Sequence, residues 1–158
     1  MAKARDTKIK VYVGDEVYEF SSLEEIIIDR DDLDEELVQQ AAHYAFFRTL
    51  YERARMERLK LESKVEEKES ALFIKFKDSG EKMTVDMVKA KARTSGELIA
   101  LIERYQNSEY TERLLDSFVS ALAQRKDTLI SLARSRNLEM TTPSADEVAR
   151  IKKNLLSR

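Results

Sequence analysis

Apolar residues recur every seven positions along two stretches of the sequence that contain neither glycine nor proline. The first stretch has two such registers. One contains Leu37, Tyr44, Tyr51, Val65 and Leu72, and the other contains Phe47, Ala54 and Leu61. Such a repeat places an apolar stripe along a helix and is typical of coiled-coil packing. We therefore predict a helix over about residues 33–77, with Asp32 as N-cap and with Arg58 and Lys68 interrupting the stripe.

The second stretch keeps the same spacing over about residues 97–137. Its apolar positions are Leu101, Tyr105, Leu115, Val119, Leu122, Leu129 and Ala133. Asn107-Ser108 is a candidate position for a break. Between the two stretches, Gly80 predicts a turn and Thr84 is a candidate N-cap for a short helix over VDMVKAKAR. Two long helices with a short connection favour an antiparallel hairpin.

The N-terminal part predicts smaller elements. KIKVYV and EVYEF, separated by Gly14-Asp15, form the pattern of a β-hairpin. SSLEEIII predicts a short helix, with Ser22 as N-cap and Glu25 at the capping-box spacing. Because an isolated two-stranded hairpin is only marginally stable in water, this one needs the helices or another copy of the chain to pack on.

The predicted fold is mainly α: a long antiparallel, coiled-coil-like helical hairpin with a small N-terminal β-hairpin. We divide the chain into residues 1–30 (β-hairpin and short acidic segment), 31–140 (helical hairpin body) and 141–158. The last range predicts a short amphipathic helix, since Ser144 and Glu147 have the capping-box spacing.

Some apolar positions remain outside the stripes of a two-helix hairpin. They include Phe46, Leu50, Leu59, Phe118 and Leu132. Because one hairpin buries a single stripe per helix, we expect these side chains to be covered by other copies of the chain. This predicts a homo-oligomer larger than a dimer.

Composition and charge limit the class of protein. The chain has 158 residues, of which 37% are charged, with three glycines, one proline and no cysteine. These counts exclude a turn-rich all-β protein and a disulfide framework. No apolar run approaches the length of a membrane span or a signal peptide, so we expect a protein of the cytoplasm with no membrane partner.

The net charge of the whole chain is only −2, but the acidic residues are concentrated near its N-terminus. Residues 11–40 contain eleven acidic side chains and one basic side chain, a local net charge of −10. We expect this stretch to act in assembly or partner contact, or to be solvated surface, and not to bind DNA.

Enzyme chemistry finds little support in the sequence. His43 is the only histidine, and its surroundings AAHYAFF favour a helix-packing residue over a general base. There is no phosphate-binding or dinucleotide-binding glycine loop. We expect a protein that is not an enzyme and has no cofactor or bound metal.

The segment around the bend, ALFIKFKDSGEKMTVDMVKAKARTSGE, is the candidate binding site. Its cations are Lys75, Lys77, Lys82, Lys89, Lys91 and Arg93. Such side chains neutralise phosphates, and aromatic faces stack on unpaired bases. Phe73 and Phe76 are therefore either stacking residues or part of the core that closes the hairpin. We predict Lys75 and Lys77 as the principal phosphate contacts.

The region from about Tyr51 to Arg136 resembles the phage recombination mediators of the UvsY type. The resemblance rests on YERARMERLKLESKVEEKESALFIKFKDSG, KMTVDMVKAKART and LLDSFVSALAQRKDTLISLAR. In that family, basic residues just before the turn contact single-stranded DNA. Alignment on SALFIKFKDSG places Lys75 at a basic family position and Lys77 nearby, with Phe73 where the family has another basic residue.

The resemblance implies a homo-oligomeric ring that loads a recombinase onto single-stranded DNA coated with single-strand-binding protein. A phage origin would place the protein in the cytoplasm of the host cell. The alternative is a structural coiled-coil protein, such as an assembly scaffold or chaperone, with no role at nucleic acids. The two functions differ in salt-sensitive binding to DNA.

Overall fold

The chain is mainly helical, with one small β-hairpin, as the sequence predicts. A computed structural model describes residues 7–21, 24–79 and 83–141. The elements are β1 (Lys8–Val13), β2 (Glu16–Ser21), α1 (Leu33–Lys77), α2 (Val85–Arg93) and α3 (Gly96–Thr141). Three predicted features lie outside the described residues: the N-cap at Ser22, the turn at Gly80 and the C-terminal helix, of whose range 141–158 only Thr141 is described, as the last residue of α3.

The two long helices pack antiparallel. Ascending positions on α1 meet descending positions on α3: the Gln40 side-chain amide donates to the Leu122 carbonyl at 2.8 Å, and Lys68 pairs with Glu97. The buried residues of α1 include Leu33, Gln40, Phe47, Ala54 and Leu61, which are seven apart. Opposite them, α3 buries Leu115, Leu122 and Leu129 completely. The predicted seven-residue spacing is confirmed.

The two registers predicted for α1 differ in burial. Phe47, Ala54 and Leu61 are all buried. In the other register Leu72 is buried near the bend, but Leu37, Tyr51 and Val65 are half-buried and Tyr44 is exposed. The physical reason is that α1 has two neighbours, α3 and the β-hairpin. The stripe that faces the space between both neighbours is buried most deeply.

Ion pairs occupy the positions where charged residues interrupt the apolar stripe. The Arg58 guanidinium hydrogen-bonds Glu112 on α3 and lies 2.9 Å from Glu62. The hydrogen bond to Glu112 holds the pKa of Arg58 above its ordinary value, against the opposing effect of burial. Because its charge is paired, Arg58 remains in the seam without breaking it. α3 likewise runs through Asn107-Ser108 without the break that was predicted as a candidate.

The β-hairpin has the register that its alternating sequence predicts. Val13 and Glu16 pair across the two-residue loop Gly14-Asp15. Gly14 has a φ of +63°, which glycine adopts at little cost. A positive φ at the first loop residue alone is the pattern of a type II′ turn, which suits the twist of paired strands. The apolar side chains of one face, Val11 and Phe20 among them, point towards the helices.

The β-hairpin and the long helices share one hydrophobic core. The Phe20 ring lies edge-on to Phe47 and to Phe118, with centroid distances of 5.0 and 4.9 Å, and Phe47 stacks on Phe118 at 5.4 Å. Two residues predicted to need another copy of the chain, Leu50 and Phe118, are buried within this core. That prediction is wrong for them because the β-hairpin covers the groove between the helices.

The other three residues predicted to lie outside the buried stripes differ in exposure. Phe46 and Leu59 are exposed, as predicted for one copy of the chain, whereas Leu132 is half-buried. The surplus of apolar surface is therefore smaller than the sequence suggested. On α1, Val38 and Met56 are also exposed.

The predicted helix over SSLEEIII is wrong for its described residues. Residues 24–26 form a turn, in which the Glu24 N–H donates to the Ser21 hydroxyl at 3.1 Å. The next residues are held by the buried Arg125 of α3, which donates to the Ile27 carbonyl at 3.1 Å. This hydrogen bond ties the segment to α3, and residues 24–29 are not helical.

Arg125 connects this segment with both long helices. It donates to the Gln40 side-chain carbonyl at 2.5 Å and pairs with Glu36. Burial acts to raise the pKa of Glu36. Hydrogen bonds from the Asp29 backbone N–H and from Arg125, together with the charge of Arg125, hold the pKa below its ordinary value. The start of α1 is thus tied to α3 by a mostly buried ion pair.

Two further features of the helices bear on the predictions. Asp32 occupies the N-cap position of α1, but its side chain makes no capping hydrogen bond. Within the described ranges, none of the helices combines the length and the apolar character needed to cross a membrane.

Candidate nucleic-acid interface

The bend, defined as residues 73–93, joins the end of α1 to α2. The Asp78 N–H donates to the Ile74 carbonyl at 3.0 Å, and the Ser79 hydroxyl donates to the Phe76 carbonyl at 2.7 Å. α2 begins after Thr84, whose hydroxyl accepts from the Met87 N–H at 3.3 Å. The predicted N-cap is therefore confirmed, and it sets the orientation in which α2 presents its lysines.

A small second core holds α2 against the long helices. It contains the buried residues Leu72, Ala92 and Leu98, and Phe76 packs against it half-buried. The Lys91 ammonium lies 5.2 Å from the centroid of the Phe76 ring, within the range of a cation–π contact. Of the two roles considered for Phe76, the structure shows core packing.

Lys75 and Lys77 lie on different flanks of α1. Residues two apart on an α-helix project about 200° from each other, because each residue turns the helix by about 100°. Lys75 is close enough to Glu97 on α3 to act on its charge. A hydrogen bond from Lys68, with the charges of Lys68 and Lys75, holds the pKa of Glu97 below its ordinary value. We call this side the hairpin flank, because the β-hairpin packs on the same side further along α1.

The opposite side, which we call the α2 flank, carries Phe73, Lys77 and Lys89. Phe73 and Lys77 are four residues apart and therefore neighbours on the helix surface. Phe73 and Lys89 line one open groove of about 590 Å³ between α1 and α2. All three cationic or aromatic groups on this flank reach solvent, with Phe73 half-buried and the two lysines exposed.

Acidic residues reduce the positive charge of the α2 flank. Arg93 lies 3.3 Å from Glu69, and Glu66 and Glu69 also line the groove. Sequence reasoning missed this pairing. The signal was present, because Glu69 is four residues before Phe73 and so shares its face of the helix. Arg93 is therefore a weaker candidate for phosphate contact than Lys77 or Lys89.

Seven of the eight predicted site residues thus separate into three groups. Phe73, Lys77 and Lys89 share the α2 flank, Lys75 lies on the hairpin flank, and Phe76, Lys91 and Arg93 have partners within the chain. Lys82 lies outside the described residues. Three large apolar side chains that the prediction did not include, Ile74, Val85 and Met87, are also exposed around the bend.

The candidate groups for other chemistry are sparse. The Nδ1 atom of His43 lies 3.7 Å from the Glu25 carboxylate. In the part of the chain that the structure describes, no cluster of three or more His, Asp or Glu side chains is arranged to hold a metal ion.

Comparisons with models of protein families, with curated proteins and with solved structures gave no significant match.

Proposed function

We propose that this protein is a recombination mediator that binds single-stranded DNA and helps to load a recombinase onto DNA coated with single-strand-binding protein. The observation that carries the DNA-binding part is the α2 flank, where Phe73 and the exposed Lys89 line one open groove and the exposed Lys77 neighbours Phe73 on the helix surface. The recombinase and the single-strand-binding protein come from the resemblance to the UvsY-type mediators. The proposed role involves no catalysis and no cofactor.

Lys77 and Lys89 would contact phosphates, and Phe73 would contact a base. Contacts to phosphate carry no sequence information, so binding is expected to be indifferent to base order. Stacking on Phe73 requires an unpaired base, which favours single strands over duplex.

A homo-oligomer larger than a dimer supports this function, because one flank offers few contacts. Repeating the flank around an oligomer raises the effective concentration of binding sites on one strand. Several apolar residues that remain exposed on α1 are available for contacts between copies, among them Val38, Phe46, Met56 and Leu59. The same residues favour the alternative function, a coiled-coil scaffold or chaperone without a nucleic-acid role.

A titration with labelled oligothymidine separates the two functions. We expect the double variant Lys77→Ala, Lys89→Ala to bind more weakly than wild type. We also expect the slope of log affinity against log salt to fall by about 1.4, since each phosphate contact on a single strand contributes about 0.7. The matched control is Lys126→Ala, Arg134→Ala, which removes two exposed cations from α3 far from the bend.

Light scattering on each variant establishes that the assembly is intact. If wild type fails to bind oligothymidine at about 50 mM salt, the recombination function is wrong and the scaffold function stands. If both double variants change the salt slope equally, the protein binds DNA through diffuse charge and the assignment to the α2 flank is wrong.

A further inference from the structure

A second groove lies where the turn of the β-hairpin meets the middle of both long helices. It has a volume of about 490 Å³ and is bordered by the end of β1, by α1 near Leu61 and by α3 over residues 104–111. Leu61 and Thr111 are buried and form its floor. We call it the tyrosine groove after the two residues described next.

Two tyrosines on the border of the tyrosine groove are unusually exposed. Tyr12 on β1 has 61% of its surface accessible to solvent, and Tyr110 on α3 has 68%. Both line the groove, although they are 98 residues apart in the sequence. Within the described residues, neither ring stacks on another aromatic ring. Both therefore keep an aromatic face available to a planar ligand.

Three polar side chains that line the tyrosine groove have no partner among the described residues. The side chains of Lys10, Arg104 and Asn107 line it and make no hydrogen bond or ion pair with the described parts of the chain. This differs from Arg58 and Arg125, whose guanidinium groups are held by carboxylates. The two cations outnumber the one carboxylate of the groove, Glu57. A ligand with both negative charge and flat rings suits this combination.

We propose that the tyrosine groove binds unpaired nucleotides of a single-stranded nucleic acid. Bases stack on Tyr12 and Tyr110, Lys10 and Arg104 contact the adjacent phosphates, and Asn107 hydrogen-bonds a base edge. Tyr12 belongs to residues 11–40, so the proposal departs at this position from the expectation that the acidic stretch does not bind DNA; the groove itself has two cations and one carboxylate. Aromatic rings that hold successive bases beside a positively charged track are the usual means of binding single strands without sequence preference. The identity of the ligand rests on the proposed function, whereas the location of this site does not.

The position of the tyrosine groove gives Lys75 a role that the α2 flank does not. Glu57, on the border of the groove, and Lys75 are eighteen residues apart on α1, which is five turns of about 3.6 residues. Both therefore lie on the hairpin flank, about 27 Å apart along the helix at about 1.5 Å per residue. A strand held in the groove continues along this flank towards Lys75, on the opposite side of α1 from Phe73 and Lys77.

The test compares oligothymidine with an abasic strand of the same length. The double variant Tyr12→Val, Tyr110→Leu removes both rings and keeps side chains suited to a strand and to a helix. We expect its affinity for oligothymidine to fall by about tenfold or more, because loss of one stacked base costs about 1–3 kcal/mol. We expect no loss for the abasic strand, which has phosphates but no bases to stack.

Two further variants serve as controls. Tyr12→Phe, Tyr110→Phe keeps both rings and is expected to bind like wild type. Tyr44→Leu removes an exposed tyrosine of α1 that does not line the groove, and is also expected to bind like wild type. Circular dichroism and light scattering establish that each variant is folded and assembled.

The outcomes separate this inference from the proposed function. If the ring-deleted variant binds oligothymidine like wild type while Lys77→Ala, Lys89→Ala binds weakly, the tyrosine groove is not a binding site and the proposed function stands. If the ring-deleted variant loses affinity equally for both strands, the rings do not act by stacking and the inference is overturned. If wild type binds neither strand, both proposals are wrong.

Discussion

Replacing Phe118 by alanine tests whether the β-hairpin and the helices form one core. The Phe118 side chain has only 5% of its surface exposed. It stacks on Phe47 of α1 and meets the edge of Phe20 of the β-hairpin. The substitution therefore removes one ring from the point where three elements meet, and leaves the backbone of α3 with a good helix former.

The expected loss of stability follows from this burial. Truncation of a buried phenylalanine to alanine lowers the free energy of unfolding by about 3–5 kcal/mol, since a cavity remains in the core. We expect a loss towards the upper end of this range for Phe118→Ala, because each of the two lost aromatic contacts contributes about 0.5–1.5 kcal/mol beyond burial. For a chain of this length, the midpoint of thermal unfolding would fall by about 6–20 °C.

Phe46→Ala is the matched control, because Phe46 belongs to the same aromatic group but is 50% exposed. We expect it to lower the free energy of unfolding by about 1 kcal/mol. The measurement is urea unfolding followed by circular dichroism, at one fixed protein concentration because association shifts apparent stability. Equal losses for Phe118→Ala and Phe46→Ala would refute the shared core.

Two further predictions concern the polar contacts. Glu36 has a lowered pKa, so its pair with Arg125 stabilises the fold at neutral pH and this contribution is lost as the pH falls through the lowered pKa. Glu36→Gln should therefore lower the free energy of unfolding by about 2 kcal/mol at neutral pH and converge with wild type in acid, as measured by urea unfolding across pH; a constant difference at every pH would contradict this. Thr84→Ala should destabilise the start of α2 by about 1 kcal/mol, whereas Thr84→Ser should not. We expect amide hydrogens of α2 to exchange faster in Thr84→Ala than in Thr84→Ser. Equal exchange rates in the two variants would show that the Thr84 cap does not stabilise α2.

The elements that the sequence predicted correctly are those with local signals. The limits of α1 follow from the acidic first turn after Asp32 and from a long stretch without glycine or proline. The β-hairpin follows from alternation around Gly14, and α2 follows from its cap at Thr84. Each of these signals acts over a few residues and does not depend on distant packing.

The features that were predicted wrongly depend on contacts between distant residues. The segment after Ser21 has the composition of a helix, but it is not helical and is tied to α3 by a hydrogen bond from Arg125 to the Ile27 carbonyl. Phe118 looks like a surplus apolar residue until the β-hairpin is placed over it. No local pattern contains either contact.

The arrangement of the candidate site could be predicted from the sequence only in part. That Lys75 and Lys77 separate onto two flanks follows from helix geometry alone and could have been derived from the sequence. That Arg93 meets Glu69, and that Tyr12 and Tyr110 line one groove, requires the packing of elements far apart in the chain.

The contact between the β-hairpin and α3 has a consequence for synthesis on the ribosome. Phe20 and Phe118 are 98 residues apart, so the β-hairpin emerges long before its partner on α3. At about 5–20 residues per second, the delay is about 5–20 s. A two-stranded hairpin is marginal by itself during that interval. The inner face with Val11 and Phe20 is then exposed, and a chaperone that shields apolar strands has its best opportunity to act before α3 is complete.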